Sequence, residues 1–142
     1  GDTDQMRAIA SGECGVALTN SYYMVRLMRS NNPKDKKVIN NIGFVLPNQN
    51  NFGTHINITG AGIVKSAPNP QNAKKFIEFL VSPKIQKIFA NGNNEWPIIS
   101  SIKVENKKLN SIGEFKKDKL AINLIGKQQF LAQKIADEVG WK

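Results

Sequence analysis

Apolar positions along this chain follow two rhythms in turn, one of about 3.6 residues and one of short runs or strict alternation. The helical rhythm comes first, from Asp2 to Ser11, with Met6, Ile9 and Ala10 inward, Asp2 or Thr3 as cap and Gly12 as the stop. Val16 to Leu18 is a brief apolar run, too short for a helix and suited to a strand buried on both faces. Asn20 and Ser21 are strong N-cap residues, and from Met24 the positions Met24, Val25, Leu27 and Met28 return to helical spacing until about Ser30. Asn31-Asn32-Pro33 breaks the chain, Lys34 to Asn41 predicts one or two helical turns carrying Val38 and Ile39, and Ile42 to Leu46 predicts a strand closed by Pro47. After a polar loop over residues 48–54, His55 to Ile58 alternates, with Ile56 and Ile58 on one face, and Gly60-Ala61-Gly62 leads into a short strand at Ile63 and Val64.

The second half repeats the scheme. Pro68-Asn69-Pro70 opens an amphipathic helix, Gln71 to Val81, with Phe76, Ile77, Phe79 and Leu80 as its stripe. Ser82-Pro83 starts another, Lys84 to Ala90, and Asn91-Gly92-Asn93-Asn94 ends it. Glu95 to Ile99 is extended, and Lys103 to Ser111 predicts a charged, exposed connection. A closing helix is expected from about Ala121 to Val139, with Leu124, Ile125, Phe130, Leu131 and Ile135 in the core, Gly140 as the stop and Trp141 tucked back. Strands alternating with helices predict an α/β class.

Composition narrows the function. The 142 residues suffice for a domain with a proper core, and no apolar run approaches the length of a membrane span. The formal charge of +9 raises nucleic acid or an anionic membrane as partners. The lysines, however, are scattered and no aromatic residues interleave them as stacking platforms, which favours a solvated surface. One cysteine, Cys14, gives neither a disulfide framework nor a zinc site and is expected as a small buried side chain. No Gly-x-Ser-x-Gly, His-Glu-x-x-His or phosphate-binding glycine loop is present, and no carboxylates pair on an apolar face, so an enzyme is not expected. The single histidine, His55, sits among Thr and Ile, where a hydrogen-bonded structural role is more usual than a ligand.

The candidate chemistry lies at Tyr22 and Tyr23. Adjacent helix residues point about 100° apart, so deep in a helix these two rings would hardly meet one ligand. At the first turn, where the chain leaves a strand, they can. A helix N-terminus following a strand is also where open α/β sheets place ligands. Packing with both hydroxyls at a wet rim is the competing reading. Arg26 shares the helix face of both tyrosines, where a guanidinium favours ionised phenols.

Asn20-Ser21-Tyr22-Tyr23, with the preceding Ser11 to Leu18, resembles the ferric-iron-binding proteins of bacterial ABC importers. The likeness continues through Pro47-Asn48-Gln49, Gly53 to Gly62, Phe79 to Gln86, Glu95-Trp96-Pro97-Ile98 and the closing stretch from Gly126 to Trp141. The resemblance implies a type II periplasmic-binding-protein fold of two α/β lobes, of which this chain is the C-terminal portion. Residues 1–59 would belong to the tyrosine-bearing lobe, 60–108 to the opposite lobe and 109–142 to the return. It implies Tyr22 and Tyr23 as iron(III) ligands, Asn20 and Arg26 as supporting or anion-binding residues, and His55 as a lesser candidate. The family often carries Asn where this chain has Asp2.

The implied cargo is Fe(3+), with carbonate or phosphate as a synergistic anion. The implied partners are an ABC transporter permease and an absent N-terminal half that supplies further ligands. The implied location is the periplasm, free or lipid-anchored, and the implied state of the complete protein is a monomer without a transmembrane segment. Hard phenolate oxygens suit a hard trivalent ion. Two rival readings are a binding protein of the same fold for an organic or anionic solute, and a basic nucleic-acid or polyanion module.

Overall fold

A computed structural model describes residues 1–141. They fall into two compact units. The first joins Gly1–Val45 with Asn57–Glu114, and the second joins Leu46–Ile56 with the chain from Phe115 on.

The first unit is a set of short helices. Helix α1 (Asp2–Ser11) carries Asp2 and Asp4 in its first turn, where carboxylates face the positive end of the helix dipole. It ends on Gly12 at φ 84°, with the Gly12 and Glu13 N–H groups donating back to Ile9 and Ala8. Helix α2 (Ser21–Arg29) sinks Val25 and Leu27, and places Arg26 and Arg29 in the last turn against its negative end. Helix α3 (Pro33–Asn40) is opened by Asn32, whose Oδ1 accepts the Lys34 N–H at 2.9 Å, with Pro33 as its first residue. These three helices pack on one another around Met6, Val25 and Leu27.

Helices α4 (Pro70–Leu80) and α5 (Pro83–Ile88) follow the predicted stripes, each started by a proline. Helix α5 runs into a π-turn over Phe89–Asn93, closed by Asn94 in the left-handed region at φ 66°. The predicted charged connection at 103–111 instead contains a one-turn helix, α6 (Lys107–Asn110), packed on α2, with Leu109 completely buried. Its anchor is Asn106. That side chain caps the turn by accepting the Leu109 N–H at 3.1 Å and donates to Ala90 O and Asn94 Oδ1 at 3.2 and 2.9 Å. Asn94 Oδ1 also accepts from Arg29 at 2.5 Å, so this buried amide cluster joins α2, the π-turn and α6.

In the second unit, Gly53 sits at φ 100°, and a Cβ there would lie 2.7 Å from Lys116 O. Only glycine allows that approach. It brings the parallel bridge between Thr54 and Lys117 together, with Thr54 N donating to Lys116 O and Asp118 N donating to Thr54 O.

The closing helix is two pieces, α7 (Ile122–Lys127) and α8 (Gln129–Glu138), broken at Gln128 just after Gly126. Its expected core residues Leu124, Ile125, Phe130, Leu131 and Ile135 are exposed, as is Trp141.

The predicted strands at 16–18, 42–46, 55–58 and 63–64 form no ladder among the described residues. Val16, Leu18 and Val45 are exposed, because an extended segment needs a neighbouring strand to satisfy its backbone and cover its faces. Cys14 is free and half-buried rather than sealed.

Candidate metal centre

The site is built on the turn into α2. Asn20 occupies the N-cap position, but its side chain makes no capping hydrogen bond. It is held instead from both sides. Its backbone N–H and its Nδ2 donate to Asp2 Oδ2 at 2.8 and 3.0 Å, and its Oδ1 accepts from Asn57 Nδ2 at 2.9 Å. Thr19 Oγ1 adds a third contact to the same Asp2 oxygen at 3.3 Å. These bonds to the charged form, the Asn20 N–H first, hold the Asp2 carboxyl below its usual value despite some loss of hydration. The start of α1 is thereby tied to the start of α2.

Past this clamp stand the two tyrosines, side by side. Their ring centroids are 4.3 Å apart and their planes differ by 33°. Both are half-buried, so the rings are packed and still open to solvent on one side. A hydrogen bond to Tyr23 is the main cause of a Tyr22 phenol pushed up to about 12. Burial and the negative charges of a Tyr23 phenolate, Asp2 and Glu95 push the same way.

Arg26 does not counter this shift as its sequence position suggests. Its guanidinium carbon lies 4.7 Å above the Tyr23 ring centroid, a cation–π contact on the ring face, and its Nη2 donates to Thr3 Oγ1 at 2.6 Å. Without metal Tyr22 therefore holds its proton. Phenol oxygens made anionic by an incoming ion are strong donors to a hard cation.

The structure thus brings Asn20, Tyr22 and Tyr23 together at the start of α2, with Arg26 of its last turn lying over the Tyr23 ring. His55 belongs to the second unit, is exposed, and makes no side-chain hydrogen bond among the described residues, contrary to the structural role its neighbours suggest. Sequence reasoning took Asp2 for a helix cap and passed over Asn57 and Glu95. The separation of Asp2 and Asn20 along the chain hides their contact. No cluster of three His, Cys, Asp or Glu residues able to hold a metal is found among the described residues.

The description "bacterial extracellular solute-binding protein" matches residues 1–87. The chain belongs to that family. It is 45% identical to iron uptake protein A1 of Synechocystis, over 99% of this chain and 39% of that protein. Two solved structures match over all of it while it covers 45% of each. One is FutA (IdiA) of Trichodesmium in complex with iron and citrate, at 46% identity and a TM-score of 0.89. The other is a ferric binding protein from Campylobacter jejuni, at 44% identity and a TM-score of 0.92. The chain therefore spans less than half the length of the relatives it matches, and it shares the type II periplasmic-binding fold of the part it matches.

Proposed function

We propose that this chain is the tyrosine-bearing, C-terminal portion of a non-enzymatic periplasmic protein that captures iron(III) and delivers it to an ABC importer. The observation that carries the reading is the pair of adjacent, half-buried phenols at the first turn of α2, in a chain whose relatives are named for iron uptake and ferric iron binding. Tyr22 and Tyr23 bind the metal as phenolates, so two of its three charges are cancelled. Asp2 and Asn57 fix Asn20, and Asn20 fixes the turn from which both rings project. Arg26 lies on Tyr23 and sets how much positive charge the metal meets. His55 is a lesser candidate ligand.

Residues 1–45 and 57–114 together make the tyrosine-bearing unit. Strands at 16–18 and 42–46 form when the remainder of the protein lies beside them, which would make the fold α/β. Capture follows from lobe closure about a hinge, and the remaining ligands come from elsewhere in the protein.

The test is a ferric nitrilotriacetate titration of the intact protein. Phenolate ligation gives an intense visible charge-transfer band, and Tyr22→Phe and Tyr23→Phe should each weaken or abolish it. A band and affinity unchanged in both variants would remove the tyrosines from the site. In the same assay Arg26→Ala should shift the iron affinity or the reduction potential. No change in either leaves Arg26 a surface charge.

A further inference from the structure

Four carboxylates are half-buried among the described residues: Asp2, Asp35, Glu95 and Asp118. Three of them are bonded. Asp2 holds the Asn20 N–H, Asp35 accepts the Ser30 hydroxyl, and Asp118 accepts the Leu120 N–H. Glu95 makes no side-chain hydrogen bond and no ion pair among the described residues. Cations are not scarce, since lysines and arginines outnumber acids 20 to 11 in this chain. A carboxylate that gives up water without gaining a partner costs stability.

The backbone nevertheless fixes Glu95 from both sides. Upstream, Asn94 is buried in the left-handed region at φ 66°, an uncommon conformation for a residue other than glycine. Its Oδ1 accepts from Arg29 and Asn106. Downstream, the buried Gln86 accepts the Ile98 N–H at 2.9 Å and donates to Leu80 O at 3.0 Å. Residues 95–97 are strung between these two buried amides, and α2 itself supplies the arginine of the upstream one. Arg29 lies seven residues after Tyr22, two turns along the same helix face. The Glu95 charge acts on the Tyr22 phenol. The arginines of α2 are engaged elsewhere, Arg29 on Asn91 O and Asn94, Arg26 on Thr3 and the Tyr23 ring face. Backbone strain and a charge without a partner, kept side by side, mark a place held for function at the expense of stability.

A fixed negative charge attracts a trivalent ion more strongly than a divalent one by a full unit of charge. We propose that Glu95 is a specificity-determining residue of the tyrosine site, its carboxylate biasing that site toward iron(III) over iron(II). The proposal rests on iron binding at Tyr22 and Tyr23, and it requires no contact between Glu95 and the metal.

A spectroelectrochemical titration of the intact, ferric-loaded protein, followed at the phenolate charge-transfer band, tests it. Glu95→Gln keeps the shape of the side chain and removes its charge. This variant should keep the band and raise the reduction potential by about 59 mV, a roughly tenfold loss of preference for iron(III). Glu95→Asp keeps the charge and should move the potential far less. In urea unfolding of the metal-free intact protein, Glu95→Gln should be at least as stable as wild type, because the charge it loses has no partner. An intact band with an unmoved potential in Glu95→Gln overturns the proposal and leaves the phenolate ligands standing. Equal shifts in Glu95→Gln and Glu95→Asp also overturn it, since charge is then not the cause. A metal-free Glu95→Gln protein markedly less stable than wild type makes Glu95 a structural residue instead. If the wild type itself shows no phenolate band, the tyrosine site falls and this proposal falls with it.

Discussion

Tyr22 is a poor acid, and the proposed iron ligation has to overcome that. With its phenol pushed up to about 12 by the hydrogen bond to Tyr23, the neutral form dominates throughout the neutral range. A trivalent ion must then expel the protons as it binds, and the released protons enter the binding equilibrium. The sign follows directly: acid opposes binding. Each proton displaced lowers the apparent affinity about tenfold per unit of falling pH. Two phenolates therefore predict a loss of about a hundredfold per unit in the neutral range. Competition against a chelator, corrected for the chelator's own protonation, measures it, and a slope near zero would mean that neither phenol ionises on binding. The Asp2 carboxyl is shifted in the opposite direction, yet acid again removes its contribution. Its value is held down by the Asn20 N–H, so its contribution to stability is full above pH 3.8 and fades as the pH falls through the lowered value.

Among the elements, α6 is the one whose existence depends on contacts distant in sequence. A single turn gains little from propensity. Its stability comes from Leu109, fully buried, and from Asn106, which spends acceptor and donors on three partners at once. Asn106→Ala removes the cap and leaves Ala90 O short of a partner, and should cost about 2–4 kcal/mol in urea unfolding of the intact protein. Asn106→Asp keeps the cap but turns a carboxylate oxygen on Asn94 Oδ1, and should cost at least as much. If the aspartate variant is as stable as wild type, the amide donation to Asn94 is not what holds this turn.

The same element marks the limit of what could be read in advance. Helices α1 to α5 were legible because their caps, prolines and apolar stripes are local signals. Lys103 to Ser111 looked solvated because seven of its nine residues are polar or charged, and the value of Leu109 depends on an amide cluster at 91–94. The tyrosine pair was legible from adjacency at a helix start, whereas the Asp2–Asn20–Asn57 clamp that fixes it was not, since nothing local couples those positions.

At the scale of the whole molecule, the distribution of buried apolar residues is uneven. Met6, Val25, Leu27, Ala90 and Leu109 are the fully buried ones among the described residues, and all belong to the first unit. In the second unit α7 and α8 expose Ile122 at 60%, Phe130 at 85% and Leu131 at 51%. Fully burying such a side chain contributes about 1.5–3 kcal/mol, while ordering each residue's backbone costs about 1–2 kcal/mol. With Gly126 and the break at Gln128 adding to the cost, two short helices this exposed gain little to offset it. The relatives that this chain matches are more than twice its length, so the proposed remainder of the protein is the natural cover for these faces. Hydrogen exchange then separates two outcomes. In the isolated 142-residue chain, the amides of 122–138 should exchange at nearly unprotected rates while those of α2 exchange more slowly. In the intact protein, 122–138 should gain protection of at least a hundredfold, since covering two or three of these side chains is worth about 3–6 kcal/mol or more. The isolated chain should also bind iron poorly, having two phenols and no other lobe to exclude water. Slow exchange across 122–138 in the isolated chain, or tight iron binding by it, would mean that these residues form a self-sufficient body and that the phenol pair completes its site without further ligands.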